Sequence, residues 1–117
     1  MTGSRDYTVE RLAGSRTVVL GGVMRLESTE AYARLFDPLR SDMVASNDRY
    51  TLDFSRVIFM NSSGIHALGT LVLAAKRARI PLRIRALTAS PWQKKTLASL
   101  RLLYASLELE VADAPSG

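Results

Sequence analysis

The chain has 117 residues, 47% of them hydrophobic, and a formal net charge of +5. That length suits one domain burying about two thirds of its unfolded surface, so a core needs no metal or covalent staple. The absence of cysteine excludes disulfides and thiolate zinc sites, and no apolar run is long enough for a membrane-spanning helix.

The opening "MTGSRDYTVE" lacks the apolar segment of a secretory signal, so the expected location is cytoplasmic. The first five residues and the closing "ADAPSG" read as frayed tails. Tyr7 to Leu12 is a weak strand candidate. Thr17 to Leu26, "TVVLGGVMRL", is a stronger one, rich in β-branched residues. Gly14-Ser15 between them signals a turn and hence a hairpin. Gly21-Gly22 inside the second run signals a bulge or a close backbone approach.

Ser28 or Thr29 then caps a helix whose apolar face is Tyr32, Leu35, Phe36, Leu39 and Met43. Pro38 predicts a kink, or a second short helix capped by Asp37. "YTLDF" is a strand that "IFM" extends or follows. After Asn61-Ser62-Ser63-Gly64, the residues Ile65, Leu68, Leu71, Val72 and Ala75 mark a second helix. It ends among Lys76, Arg77 and Arg79, and Pro81 stops it. "LRIRAL" alternates as a half-exposed strand, with Leu82, Ile84 and Ala86 inward and Arg83 and Arg85 outward. Ser90-Pro91 predicts a capping hydroxyl and a proline at the first helical position. Trp92, Leu97, Leu100, Leu103 and Tyr104 form the stripe of that third helix. "LELEV" is a final edge strand or the end of a helix. The order β-β-α-β-α-β-α, with room for one more strand, implies an α/β domain with parallel crossovers and an antiparallel edge.

No acidic residue stands between Asp53 and Glu108, whereas Arg56, Lys76, Arg77, Arg79, Arg83, Arg85, Lys94, Lys95 and Arg101 all fall there. A basic surface for nucleic acid or anionic lipid is one reading; solvated helix and strand faces are the other. Aromatics are only 7% of the chain and mostly sit in apolar patterns, which favours solvated faces over a nucleic-acid partner.

Asn61-Ser62-Ser63-Gly64 lies where a strand ends and a helix begins. All three polar side chains are good N-caps, so a cap plus a tight turn accounts for them. The same place suits a switch, because a helix N-terminus offers unpaired N–H groups and a positive dipole end to an anion.

The stretch "TLDFSRVIFMNSSGIHALGTLVLAAKRARIPLRIRAL" resembles the STAS domain, shared by sulfate transporters and anti-sigma factor antagonists. Leu52-Asp53-Phe54-Ser55 and Asn61-Ser62-Ser63-Gly64 stand where that family shows Leu-Asp-Leu-Ser and Asp-Ser-Ser-Gly. "GGVMRL" looks like its Gly-x-Leu-Asp strand end, and the likeness covers roughly residues 7 to 111. It implies a mixed, mainly parallel sheet of four to five strands with helices chiefly on one face. It also implies a non-enzymatic regulatory role. A partner serine kinase with a histidine-kinase-like ATP-binding fold would phosphorylate Ser62, or its neighbour Ser63; unphosphorylated, Ser62 is expected to cap the helix. Partner contact would fall on Arg25, Asn61, Ser62, Ser63, Gly64, Ile65 and His66. Asn61 and Arg25 replace two of the family's aspartates, which points to a different kinase or to binding without phosphorylation. The alternative role is a small-ligand module or an accessory subunit of a lipid transport complex, its basic span facing acidic lipid or a transporter ATPase.

Other chemistry is thinly supplied. Ser62 and His66 are four apart, but a hydrolase would also need an orienting acid and an oxyanion site. Asp53, inside an apolar strand, is expected to hydrogen-bond backbone near the strand end, since an unpaired buried carboxylate is costly. Met24, Met43 and Met60 read as core, and Trp92 as core or half-buried. No phosphate loop or metal-ligand spacing is present, so no cofactor or metal is expected.

Overall fold

The computed structural model describes residues 2–3, 6–12, 15–87 and 90–112. The elements run β1 (Thr2–Gly3), β2 (Tyr7–Arg11), β3 (Thr17–Met24), α1 (Thr29–Ser46), β4 (Tyr50–Met60), α2 (Ser62–Ala78), β5 (Leu82–Leu87), α3 (Pro91–Leu103) and β6 (Glu108–Ala112). They form one α/β sheet in the sequential order β1-β2-β3-β4-β5-β6. The pairs β1–β2 and β2–β3 are antiparallel, and β3–β4, β4–β5 and β5–β6 are parallel. The sheet is thus mixed rather than mainly parallel, and among the described residues it has six strands where four to five were expected. The additional strand is Thr2–Gly3, which pairs with Thr8 and Val9 where a frayed tail was expected. "LELEV" resolves as the edge strand β6. Gly14 of the expected turn, and residues 113–117 of the expected tail, lie outside the described residues.

Alternation places the core. Val18, Leu52 and Ile84 stand in one cross-strand row and are fully buried. They meet Tyr32, Phe36, Leu39 and Met43 of α1, Leu68, Leu71, Val72 and Ala75 of α2, and Leu97 and Leu100 of α3. All three helices therefore cover one face of the sheet. The next row along, Val19, Asp53, Arg85 and Glu110, lies on the other face. There Arg83 and Arg85 pair with Glu108 and Glu110. Opposite charges on adjacent strands let this face stay in water while the other is buried.

α1 does not break at Pro38 but continues to Ser46. Pro38 and Arg34, whose carbonyl loses its N–H partner, are both exposed, so water can replace the missing bond. Ser28 is the cap of α1, its hydroxyl accepting from Ala31 N at 3.1 Å. α3 starts at Pro91 as the sequence predicts, but Ser90 makes no side-chain capping bond. α2 closes on Arg79, whose left-handed backbone (φ 58°) aims its N–H back at Ala75 and Lys76.

β4 carries two irregularities that steer its far end. Val19 to Gly21 on β3 is opposed by Asp53 to Arg56, and Gly22 to Val23 by Val57 to Phe59. Each step gives β4 one extra residue, the signature of a β-bulge. Asp53 hydrogen-bonds backbone as expected, but at a bulge inside β4 rather than at the strand end. Its carboxylate accepts from Ser55 N at 2.9 Å and Ser55 Oγ at 2.6 Å, so it serves groups at the first bulge. On the opposing strand Gly22 has φ +85° and sits against the Asp6 backbone, the close approach that the glycine pair signalled.

Candidate functional site

The parallel pairing of β3 with β4 brings two strand ends together at the start of α2. Asn61 N–H donates to Met24 O at 3.1 Å, which locks the end of β4 to the end of β3. Asn61 is also the N-cap of α2: its Oδ1 accepts from Gly64 N at 3.1 Å. The expectation that Ser62 caps this helix is corrected, because Ser62 is already the first helical residue.

The cap is tied to the core as well as to the helix. Asn61 Oδ1 accepts a second bond from the Tyr32 hydroxyl at 2.7 Å, and its Nδ2 donates to Leu26 O at 3.0 Å. Leu26 N–H in turn donates to the Tyr32 hydroxyl at 3.3 Å. Burial pushes the Tyr32 phenol above its ordinary pKa, so it stays a neutral donor. This arrangement explains the amide at position 61. An aspartate caps a helix equally well, but it would set a carboxylate oxygen against the Leu26 carbonyl. Gly64 is fixed by the same knot: a Cβ there would stand 2.8 Å from the Tyr32 ring and hydroxyl.

Of the residues singled out in the sequence, Asn61, Ser62, Ser63, Gly64, Ile65 and His66 lie together on the cap and first turns of α2. Ser62 and His66 are exposed, Asn61, Ser63 and Ile65 are half-buried, and Gly64 is buried. Arg25 follows the end of β3, and its guanidinium lies over the Phe59 ring at 5.2 Å from the centroid. Sequence reading singled out neither Phe59 nor Ile58, which are 41% and 70% exposed. The bulges are the reason: they turn two members of an apolar run outward, and no alternation signals it. Exposed Ile58 and Phe59, with Arg25 over the latter, thus stand at the end of β4 that leads into the capped start of α2.

Gln93 was also missed. It is 2% exposed, and its Nε2 donates to Phe54 O and Val57 O, both at 2.9 Å, while its Oε1 accepts from Leu87 N at 2.8 Å. Trp92, half-buried as expected, donates from Nε1 to Ile58 O at 3.0 Å. β5 pairs with β4 only as far as Asp53. Beyond that point the two side chains from α3 take the place of a neighbouring strand and hold the bulged segment that carries Ile58 and Phe59. A glutamine in a helical first turn gives no sequence signal for such a role.

The basic span from Arg56 to Arg101 does not form one surface. Arg83 and Arg85 belong to the outer sheet face and are paired there, whereas Lys76, Arg77, Lys94, Lys95 and Arg101 lie on α2 and α3. Among the described residues no group of three or more acidic or histidine side chains is arranged to hold a metal. No helix among them is long and apolar enough to cross a membrane. No family model matches the chain, and no curated protein matches it.

Proposed function

We propose that the chain is a non-enzymatic, STAS-like regulatory module that binds a partner protein and is switched by phosphorylation of Ser62. The observation that carries this reading is the exposed Ser62 on the first turn of α2, fixed by the Asn61 cap to the ends of β3 and β4. A phosphate there would meet the positive end of α2 and carry about −1.5 to −2 charges. The neighbouring Ile58, Phe59 and Arg25 supply apolar and cationic contacts for a protein surface. The partner is a serine kinase with a histidine-kinase-like ATP-binding fold or a related regulator, and the location is cytoplasmic. Ser63, half-buried, is the lesser acceptor.

The test is a pull-down from the native host with wild-type, Ser62→Ala and Ser62→Asp chains, read by mass spectrometry for partners and phosphosites together. Expected are phosphate at Ser62 and a kinase-like partner retained by wild type and Ser62→Ala but depleted with Ser62→Asp. Equal retention by all three, with no phosphate at Ser62 or Ser63, would leave the segment a turn and a cap only.

A further inference from the structure

α2 is bordered by grooves on both sides. Toward α1 the groove, about 240 Å³, has a rim of both charge signs, with Glu30, Asp37, Arg40 and His66. Toward α3 lies a larger groove of about 380 Å³ with a different character. Its walls include Ile65, Gly69 and Leu73 of α2 and Thr96, Leu100 and Leu103 of α3, and it shares His66 and Thr70 with the first groove. Gly69 leaves a notch in the α2 wall. A Cβ there would approach Leu103 Cδ1 only to 3.4 Å, an ordinary contact, so packing does not demand glycine in mid-helix. Leu102, next in sequence to the wall residue Leu103, is 88% exposed.

The charge around this trough has one sign. Neither α2 nor α3 contains an acidic residue. Arg77 follows Leu73 by one helical turn, and Lys95 precedes Ser99, another wall residue, by one turn. Among the described residues, Lys76, Arg77, Lys94, Lys95 and Arg101 make no salt bridge.

We infer that the α2–α3 groove docks an amphipathic helix of a partner protein whose apolar ridge is flanked by aspartates and glutamates. Two neighbouring helices with a trough between them accept the side-chain ridge of a third, and apolar anchors at i, i+3, i+4 and i+7 would fill it. Cationic borders without a competing carboxylate select acidic flanks. A second copy is disfavoured by the same charges, because its own α2 and α3 would bring cations against cations. An anionic bilayer suits a convex apolar ridge better than a concave trough. The inference does not depend on phosphorylation of Ser62.

The experiment titrates the full isotope-labelled chain, followed by amide chemical shifts, with a panel of synthetic helices carrying leucines at that spacing and glutamates elsewhere. Matched helices with lysine in place of glutamate, and vesicles of phosphatidylcholine and phosphatidylserine, are run beside them. Sedimentation reports self-association. Expected are shifts at Gly69, Leu73, Thr96 and Leu103 with the acidic helices, and affinity about tenfold weaker in Ser99→Glu and Lys95→Glu. Both positions are exposed, and unchanged melting of the variants is the control for folding. Equal binding of the lysine helices, shifts confined to the α1 side, preference for vesicles, self-association through the groove, or no shift with any acidic helix would each overturn the inference.

Discussion

Tyr32 and Asn61, 29 positions apart in sequence, meet through a hydroxyl-to-carboxamide hydrogen bond of 2.7 Å that joins α1 to the start of α2. The same hydroxyl accepts from Leu26 N, so one phenolic oxygen serves both the cap and the chain leaving β3. Tyr32→Phe keeps the ring, which packs against Phe36 at 5.9 Å between centroids, and removes only the oxygen. The expected loss is about 1–3 kcal/mol, because Leu26 N–H loses its acceptor in a part-buried place. Urea unfolding measures it. A midpoint equal to wild type would mean that water replaces the hydroxyl.

Asn61→Asp separates capping from the wider network. Aspartate is as good an N-cap as asparagine, so the bond from Gly64 N survives. The donor to Leu26 O does not, and two acceptors then face each other. Stability is expected to fall by about 1–3 kcal/mol at neutral pH. A variant as stable as wild type would show that the Leu26 contact contributes nothing, and the amide would lose its physical reason.

Much of this was legible in the sequence, and the exceptions have identifiable causes. Periodicity located α1, α2, α3 and β5, because each buries one face, whereas β3 was legible from its β-branched residues and β4, buried on both faces over Leu52 to Ser55, shows no alternation. The strand-to-helix switch at Asn61 was legible from residue type alone. Which of three capping residues acts was not, because Tyr32 and Leu26 select asparagine through contacts that no local pattern records. β1 escaped notice since two residues cannot show a period. The burial of Gln93 and the exposure of Ile58 and Phe59 have one origin: β4 outruns β5, and bulges reset its alternation.

Gly22→Ala tests the bulge opposite Phe59. Its φ of +85° is open to glycine and strained for alanine, and the added methyl would collide with the Asp6 carbonyl. The strain alone costs about 1–3 kcal/mol. Thermal melting is expected to show a large loss, whereas Gly69→Ala, in mid-helix with room for a methyl, should gain about 0.5–1 kcal/mol. If the two changes had similar effects, the backbone assignment at Gly22 would be wrong.

Tyr50 gives an alkaline limit. Burial, with the neighbouring Asp42 carboxylate that accepts its hydroxyl at 2.9 Å, raises its pKa well above the ordinary phenol value. The folded pKa is the higher one. Stability from this group is therefore fully present below about pH 10, where the unfolded phenol ionises, and is lost as pH rises beyond it. Tyr50→Phe should be less sensitive to alkali than wild type in melts across that range. An unchanged alkaline slope would assign the loss to other groups.

Ser62 is the last and most direct test, because the corrected cap changes what its substitutions should do. With Asn61 capping α2, Ser62→Ala removes only an exposed hydroxyl, and stability should stay within about 0.5 kcal/mol of wild type. Ser62→Asp puts a carboxylate at the first helical position of a helix with no acidic residue in its first turn. The dipole end should make it more stable than wild type by about 0.3–1 kcal/mol at low salt. Such a carboxylate has its pKa lowered in the folded state. The gain is therefore present above the ordinary aspartate range and lost as pH falls through the lowered value, and added salt should reduce it. A partner that requires a neutral surface should nevertheless bind Ser62→Asp less tightly, so stability and affinity are expected to move in opposite directions. Calorimetric melts at two salt concentrations, paired with partner titrations, distinguish this from damage to the fold, which would lower both. A destabilised Ser62→Ala would restore Ser62 as the cap and remove the basis for reading its hydroxyl as free for modification.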